Sequence, residues 1–213
     1  MQTNTSDNSP TIQLVRLAII GTNGHDYHES LKLETKHMEW IAIMVKNYIT
    51  NTLSKTTDQI ILVSGGDAWV EHVAVQLYRE GGFGGLNLYL PSEFNTKLHQ
   101  YKNTHEGRSL NKLHAYCQEK TGAPIFEELT SVNSKKTGVR ITIQRGWKPR
   151  NTLIARGCDH LLAFTLGKGD PNLDPAKDIW SKIPHTNKVH FCLDLAPNPE
   201  SASASASVSA SAT

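Results

Sequence analysis

The most informative segment of this chain is Ile60-Ile61-Leu62-Val63-Ser64-Gly65-Gly66-Asp67. Four apolar residues predict a short buried strand, Ser-Gly-Gly breaks it, and apolar residues at helical spacing follow from Val70 to Tyr78. A strand, a glycine turn and a helix N-terminus leave backbone N–H groups unpaired and directed at one point, which suits phosphate or another anion. A glycine turn that only reverses the chain is an equal alternative on this segment alone.

The alternation of apolar strands and helical stripes extends over most of the chain. Further strands are predicted at 14–20, 86–90, 161–164 and 189–192, and helices at 33–50, 69–80, 151–157 and 175–182. Strands separated by helices imply a parallel sheet with right-handed crossovers. The predicted fold class is α/β, a Rossmann-like, doubly wound, mainly parallel sheet with helices on both faces.

The domain organisation follows from composition. Residues 13–196 predict a single Rossmann-like domain, while the polar residues 1–12 and the Ser/Ala-rich residues 197–213 predict disordered ends. Residues 92–150 interrupt the rhythm with one helix near 109–120 and a short exposed strand at 139–143. This elaboration is interpreted as a lid over the sheet edge or as a plain surface insertion.

The charge and the cysteines exclude several classes of protein. A net charge of +2 over 213 residues does not favour a nucleic-acid partner, and the three cysteines lack metal-ligand spacing. No metal and no cofactor are expected, since His25, Asp26 and His28 are better explained as turn residues. The sequence has neither a membrane-length apolar run nor a signal peptide, which predicts a cytoplasmic protein. It leaves the oligomeric state open, a homodimer included.

Ligands of parallel α/β sheets bind at the carboxyl ends of the strands, where several polar loops of this chain are predicted to converge. Ser64 is interpreted as a hydroxyl donor to a ligand phosphate, Asp67 as a helix N-cap, and Glu71 as an acid in the first helical turn. Thr22 and Asn23 bind phosphate or close their turn. The candidate phosphate-binding residues of these loops are Gly21, Thr22, Asn23, Ser64, Gly65, Gly66, Asp67, Thr165 and Gly167.

Five segments together give a resemblance to a known family. They are Ile19-Ile20-Gly21-Thr22-Asn23-Gly24, Val63-Ser64-Gly65-Gly66 through Glu71, Leu90-Pro91, Pro149-Arg150-Asn151-Thr152-Leu153-Ile154-Ala155-Arg156 and Asp159-His160-Leu161-Leu162-Ala163-Phe164. Their order resembles the SLOG superfamily over about residues 14–193. That Rossmann-like group includes the lysine-decarboxylase-like cytokinin-activating phosphoribohydrolases (LOG proteins), the DNA-processing protein A family and the YspA-like proteins.

The resemblance implies a small nucleotide-type ligand at the carboxyl edge and, in the hydrolase members, cleavage of an N-glycosidic bond. Glu71 and Arg150 would be the catalytic pair, with Arg150 gripping phosphate and Asn151 beside it binding ligand or capping its helix. Trp147 is the better stacking candidate for a base, whereas Trp69 is expected to pack inside. The family's second loop, Gly-Gly-x-Gly-Thr-x-x-Glu, is missing after Phe164. A non-catalytic nucleotide sensor is therefore the alternative, and single-stranded DNA binding is a third hypothesis.

Overall fold

The computed structural model describes residues 13–26, 31–135, 137–166, 171 and 176–196. The predicted disordered ends, 1–12 and 197–213, and the candidate residue Gly167 lie outside these ranges. The α-helices are α1 (Thr35–Asn47), α2 (Val73–Glu80), α3 (His105–Thr121), α4 (Ile125–Asn133), α5 (Trp147–Gly157) and α6 (Ala176–Trp180). The strands are β1 (Val15–Gly21), β2 (Ile60–Ser64), β3 (Gly85–Leu90), β4 (Phe94–Asn95), β5 (Gln100–Tyr101), β6 (Val139–Ile143), β7 (His160–Thr165) and β8 (Lys188–Cys192).

The described strands form a six-stranded, fully parallel sheet in the order β6-β3-β2-β1-β7-β8. The chain starts at β1 in the middle, builds outward to β6 at one edge, and then returns to place β7 on the other side of β1. Such a reversal of strand order opens a crevice at the carboxyl ends of the strands. Strands β4 and β5 form a separate antiparallel ribbon.

The two faces of the sheet carry different helices because successive side chains of a strand point to opposite sides. Leu17 and Ile19 belong to the larger core, which holds buried residues of α1, α2, α3 and α4. Ala18 and Ile20 belong to a smaller core with buried residues of α5 and α6. The α/β prediction, with a parallel sheet and helices on both faces, is confirmed.

The structure corrects one of the two interpretations of residues 92–150, the plain surface insertion. Leu110 and Cys117 of α3 and Leu129 of α4 are fully buried in the larger core, so these helices cover the sheet instead of forming a surface insertion. The short exposed strand predicted at 139–143 is present as β6, which pairs with β3 and forms an edge of the sheet. Polar residues on the outer faces of α3 and α4 made the segment look like a surface insertion in sequence.

Two helix starts also differ from expectation. Helix α2 begins at Val73 instead of 69, because Trp69 has a left-handed backbone with φ of 59° and places its indole in the core. Glu71 therefore precedes the helix and is not in its first turn. Helix α5 begins at Trp147, one turn before the predicted start, after Gly146 with φ of 85°.

Helix length and polarity bear on membrane insertion. The longest described helix, α3, has 17 residues and carries many charged side chains. Among the helices of the described ranges, none has the length and apolarity needed to cross a bilayer.

Candidate functional site

The loops after β1 and β2 meet at the carboxyl edge of the sheet. Asn23 Nδ2 donates to Asp67 Oδ2 over 2.9 Å, and both side chains are buried. Asn23 Oδ1 accepts from the backbone N–H of His25 at 2.9 Å, which fixes the orientation of its amide. The predicted convergence of these two corners is therefore present.

The loop amides are not free, however. Gly66 N–H donates to Ser64 Oγ at 3.0 Å, Asp67 N–H to Glu71 Oε2 at 3.3 Å, and Ala68 N–H to Asp67 Oδ1 at 2.9 Å. The loop folds its own hydroxyl and carboxylates back onto the N–H groups that were expected to receive a ligand anion. The prediction of bare amides at this corner is wrong.

The same contacts revise the roles of Ser64 and Asp67. The Ser64 hydroxyl is fully buried and donates to the backbone carbonyl of Glu71 at 2.8 Å, so it closes the loop. Asp67 is not a helix N-cap, because the residue in that position is His72. Its carboxylate instead joins Asn23 to the backbone of the loop.

Arg150 lies at the centre of the site and is fully buried. Its Nε and Nη2 donate to Asn151 Oδ1 at 3.1 and 2.9 Å, and its Nη1 donates to the carbonyl of Gly65 at 3.2 Å. Nη1 also lies 3.6 Å from Glu71 Oε2 and 3.9 Å from Asp67 Oδ2. We call Asp67, Glu71 and Arg150 the buried triad.

Two neighbours shape the triad. Asn151 sits inside α5 and is not its N-cap, a position that Gly146 holds, so its amide is available to orient Arg150. Gly65 leaves room for the guanidinium, since a Cβ there would lie 2.6 Å from Arg150 Cζ. Gly65 therefore allows the buried guanidinium of Arg150 to approach the backbone of the loop.

Burial makes the carboxyl group of Glu71 a weaker acid than usual. Loss of solvent raises the pKa of Glu71 to about 7; the nearby charge of Asp67 also raises this pKa, and Arg150 opposes both. Its Oε1 is buried and accepts no hydrogen bond from the described residues. Glu71 is therefore a carboxyl group that exchanges a proton near neutral pH.

A cavity of about 840 Å³ opens beside the triad at the carboxyl edge. We call it the edge cavity. Asn23 and Asn151 are part of its wall, and each is bonded to a member of the buried triad. The other residues that line it are His25, Leu113, Trp147, Lys148, Pro149, Lys177, Asp178 and Ser181.

Trp147 supplies the aromatic surface of the edge cavity. The guanidinium carbon of Arg150 lies 5.2 Å from the centre of its ring, a cation–π contact that holds the indole from the side of the triad. The ring is only partly buried and lines the cavity. Trp69, by contrast, is buried in the larger core, as expected from its sequence context.

Other candidates lie near the edge but outside the cavity wall. Gly21 ends β1 where an added Cβ would collide with the carbonyl of Phe164, so its role is close strand packing. Thr22 Oγ1 accepts from Leu166 N–H at 3.2 Å, and Thr165 Oγ1 bonds to His190 Nε2 at 2.8 Å. Thr22 and Thr165 thus tie loops and strands together.

Asp159, the acid that begins the last of the five family segments, lies far from the buried triad in the sheet topology. Asp159 precedes β7 and pairs with Arg16 at the start of β1, with 2.6 Å between Arg16 Nη2 and Asp159 Oδ1. Both residues are therefore at the amino ends of their strands. This pair closes the opposite edge of the sheet.

Sequence reasoning missed several residues of the site. Tyr101 of β5 is fully buried and donates to the carbonyl of Gly66 at 3.1 Å, which holds the loop from the side of α3. Burial raises the pKa of its phenol, so the hydroxyl keeps its proton. Lys177, Asp178 and Leu113 line the edge cavity from distant elements. No local motif distinguishes these four residues from ordinary helix and strand positions.

Comparison with known proteins gives one relative of the chain. The sequence is 36% identical over 185 residues to "Uncharacterized protein R261" of Acanthamoeba polyphaga mimivirus, and the match covers 85% of this chain and 97% of the viral protein. No family model matches the chain.

Proposed function

This chain belongs to the family of the mimivirus protein R261, and we propose that it binds a nucleotide or a nucleotide-derived small molecule in the edge cavity. The observation that carries the proposal is the combination of Trp147 with Lys148 and Lys177 in the wall of one cavity. An indole stacks on a planar base, and ammonium groups attract phosphate. A cavity of about 840 Å³ falls in the size range of small-ligand sites.

The phosphate is assigned to the lysines and not to the Ser-Gly-Gly loop. The loop amides already bond to Ser64, Asp67 and Glu71, and two acidic side chains stand beside them. A phosphate there would face the carboxylates of Asp67 and Glu71 and would compete with them for Arg150. The exposed Lys148 and Lys177 offer positive charge without that repulsion.

Hydrolysis of an N-glycosidic bond is the second candidate, and the raised pKa of Glu71 favours it. A carboxyl group that titrates near 7 suits general acid catalysis of base departure. However, Glu71 and Arg150 are fully buried, and it is Asn23 and Asn151 that reach the cavity wall. This burial makes binding without hydrolysis, as in a sensor module, the leading proposal.

Titration calorimetry tests binding against AMP, ADP, ADP-ribose, cyclic AMP and inorganic phosphate. We expect at least one adenine nucleotide to bind, with an affinity that falls as salt rises because the lysine contacts are screened. Replacing Lys148 and Lys177 together by glutamine should weaken that binding about tenfold or more. Lys46→Gln is the matched control, since Lys46 pairs with Glu80 and does not line the cavity.

Two outcomes decide between the candidates. Failure of every probe to bind the wild-type protein would refute the proposal. If a nucleotide binds, chromatography of the mixture over several hours separates the two functions. Free base that forms with wild type and not with Glu71→Gln would establish the hydrolase, and a bound but intact nucleotide would establish the sensor.

A further inference from the structure

Asn151 presents a hydrogen-bond donor to the edge cavity. Its Oδ1 accepts from Nε and Nη2 of Arg150, and because a guanidinium has only donors, the oxygen must be the amide atom on that side. The amide nitrogen, Nδ2, therefore faces the other way. It donates to no described residue, and unlike Glu71 Oε1 it is not shielded from solvent. The residue is otherwise enclosed, with 2% of its surface exposed, and it is part of the cavity wall.

We propose that Asn151 determines the base specificity of the edge cavity by donating a hydrogen bond from Nδ2 to an acceptor on the Watson–Crick edge of the base. This inference rests on the proposed function and adds the chemical pattern that the cavity recognises in its ligand. The pattern is an acceptor, either a carbonyl oxygen or a ring nitrogen without hydrogen. An exocyclic amine or a ring N–H at the same position would bring two donors together and leave both unpaired.

Arg150 fixes the orientation of this donor. An unrestrained asparagine can rotate its amide and present either the oxygen or the nitrogen to a ligand. Rotation of the Asn151 amide would turn Nδ2 toward the guanidinium and break two hydrogen bonds of a fully buried cation. Asn151 can therefore discriminate between an acceptor and a donor on the ligand, which a freely rotating amide cannot.

The position of Asn151 favours contact with the base over contact with the phosphate. It lies one helical turn after Trp147 in α5, so both residues line the cavity from one face of this helix. A base stacked on the indole of Trp147 thus has its edge near Asn151. The buried triad behind the amide carries no net positive charge, so this wall does not attract a phosphate. With the phosphate on Lys148 and Lys177, the edge of the base away from the sugar is directed inward.

The alternative explanation is that Asn151 only orients Arg150. Asn151→Asp separates the two roles, because aspartate keeps an oxygen for the guanidinium and replaces the Nδ2 donor by an acceptor. Asn103→Asp is the matched control. Asn103 is exposed, its Oδ1 also accepts from an arginine, Arg108 Nη1 at 3.0 Å, and it does not line the edge cavity.

The experiment measures the affinity of wild type, Asn151→Asp and Asn103→Asp for AMP and IMP by calorimetry. The two bases have opposite patterns on the Watson–Crick edge: adenine has an acceptor at N1 and an amine at position 6, whereas hypoxanthine has an N–H at N1 and a carbonyl oxygen at position 6. We expect wild type to bind one nucleotide about tenfold more tightly, IMP if Asn151 donates to the carbonyl oxygen and AMP if it donates to N1. Asn151→Asp should abolish or reverse this preference, and Asn103→Asp should keep it.

The quantity compared is the ratio of the two affinities, because the charge added by aspartate acts on both nucleotides alike. Wild type that binds AMP and IMP equally well, or Asn151→Asp that retains the wild-type preference, would overturn the inference while leaving nucleotide binding intact. The wild-type ratio is measured without any variant, so it tests the inference even if Asn151→Asp does not fold. If wild type binds neither nucleotide and none of the earlier probes, the proposed function itself fails.

Discussion

The acidity of Glu71 makes the stability of this protein depend on pH in a direction opposite to that of most carboxylates. Its pKa rises from an ordinary value of 4.5 to about 7 because the folded protein removes the carboxyl group from solvent. The folded state therefore holds the proton more tightly than the unfolded state. The stabilisation is complete below pH 4.5 and is lost as the pH rises through 7.

The magnitude follows from the two pKa values. Each pH unit between them changes the free energy of unfolding by about 1.4 kcal/mol, so the full effect is on the order of 3 kcal/mol. Glu71→Gln removes the titration and keeps the shape of the side chain. We expect the difference in unfolding free energy, wild type minus Glu71→Gln, to fall by about 3 kcal/mol between pH 4.5 and 8.

Urea denaturation followed by tryptophan fluorescence measures this difference at each pH. Asp159→Asn is the matched control, because the hydrogen bond from Arg16 lowers the pKa of that carboxylate. Its contribution is therefore constant above pH 5, and the difference between wild type and Asp159→Asn should be flat from pH 5 to 8. A difference for Glu71→Gln that is equally flat, or that grows with pH, would show that Glu71 is charged throughout and that the reasoning is wrong.

Three further predictions concern packing and protonation elsewhere. Gly65→Ala should cost about 2–3 kcal/mol in urea denaturation, because its Cβ would meet the Arg150 guanidinium. Gly122→Ala, with φ of 70° and open space, should cost about 1 kcal/mol. Equal costs would contradict the close approach at Gly65. Burial, assisted by a nearby histidine, lowers the pKa of His114 to about 3. The free energy of unfolding of wild type should therefore fall by about 2 kcal/mol relative to His114→Gln between pH 6.5 and 5. A difference in unfolding free energy that stays constant with pH would argue against a neutral ring. Burial raises the pKa of the Cys117 thiol to about 12, so peptide mapping after brief alkylation should find it unmodified in the native protein; rapid modification would show that this part of the core opens.

The strands could be predicted because buried parallel strands are continuous apolar runs. Predictions at 60–63 and 161–164 match β2 and β7 to within a residue at each end. Helix starts were harder. The left-handed backbone of Trp69 depends on the core into which its indole packs, and no pattern of neighbouring residues carries that information. The core role of α3 and α4 was likewise hidden by their polar outer faces.

The candidate site could be predicted as a group of residues but not as a set of roles. Asn23, Asp67, Glu71 and Arg150 do meet at the carboxyl edge, as the topology of a parallel sheet requires. The composition of a glycine loop does not reveal whether its amides remain free. Here a carboxylate four residues further along the chain reaches back to Asp67 N–H. Whether it does so depends on the turn geometry that Trp69 sets.

The internal carboxylates also bear on the position that we propose for a ligand in the edge cavity. With Glu71 charged, the buried triad carries one positive and two negative groups; with Glu71 protonated it is neutral. In neither state does it attract an anion, so under the proposed function we expect the phosphate of a nucleotide to lie toward Lys148 and Lys177. Glu71 changes between the two states near pH 7, so we expect the preference for a phosphate near the lysines to strengthen as the pH rises. A nucleotide that placed its phosphate beside the Ser-Gly-Gly loop would instead bind more weakly as the pH rises.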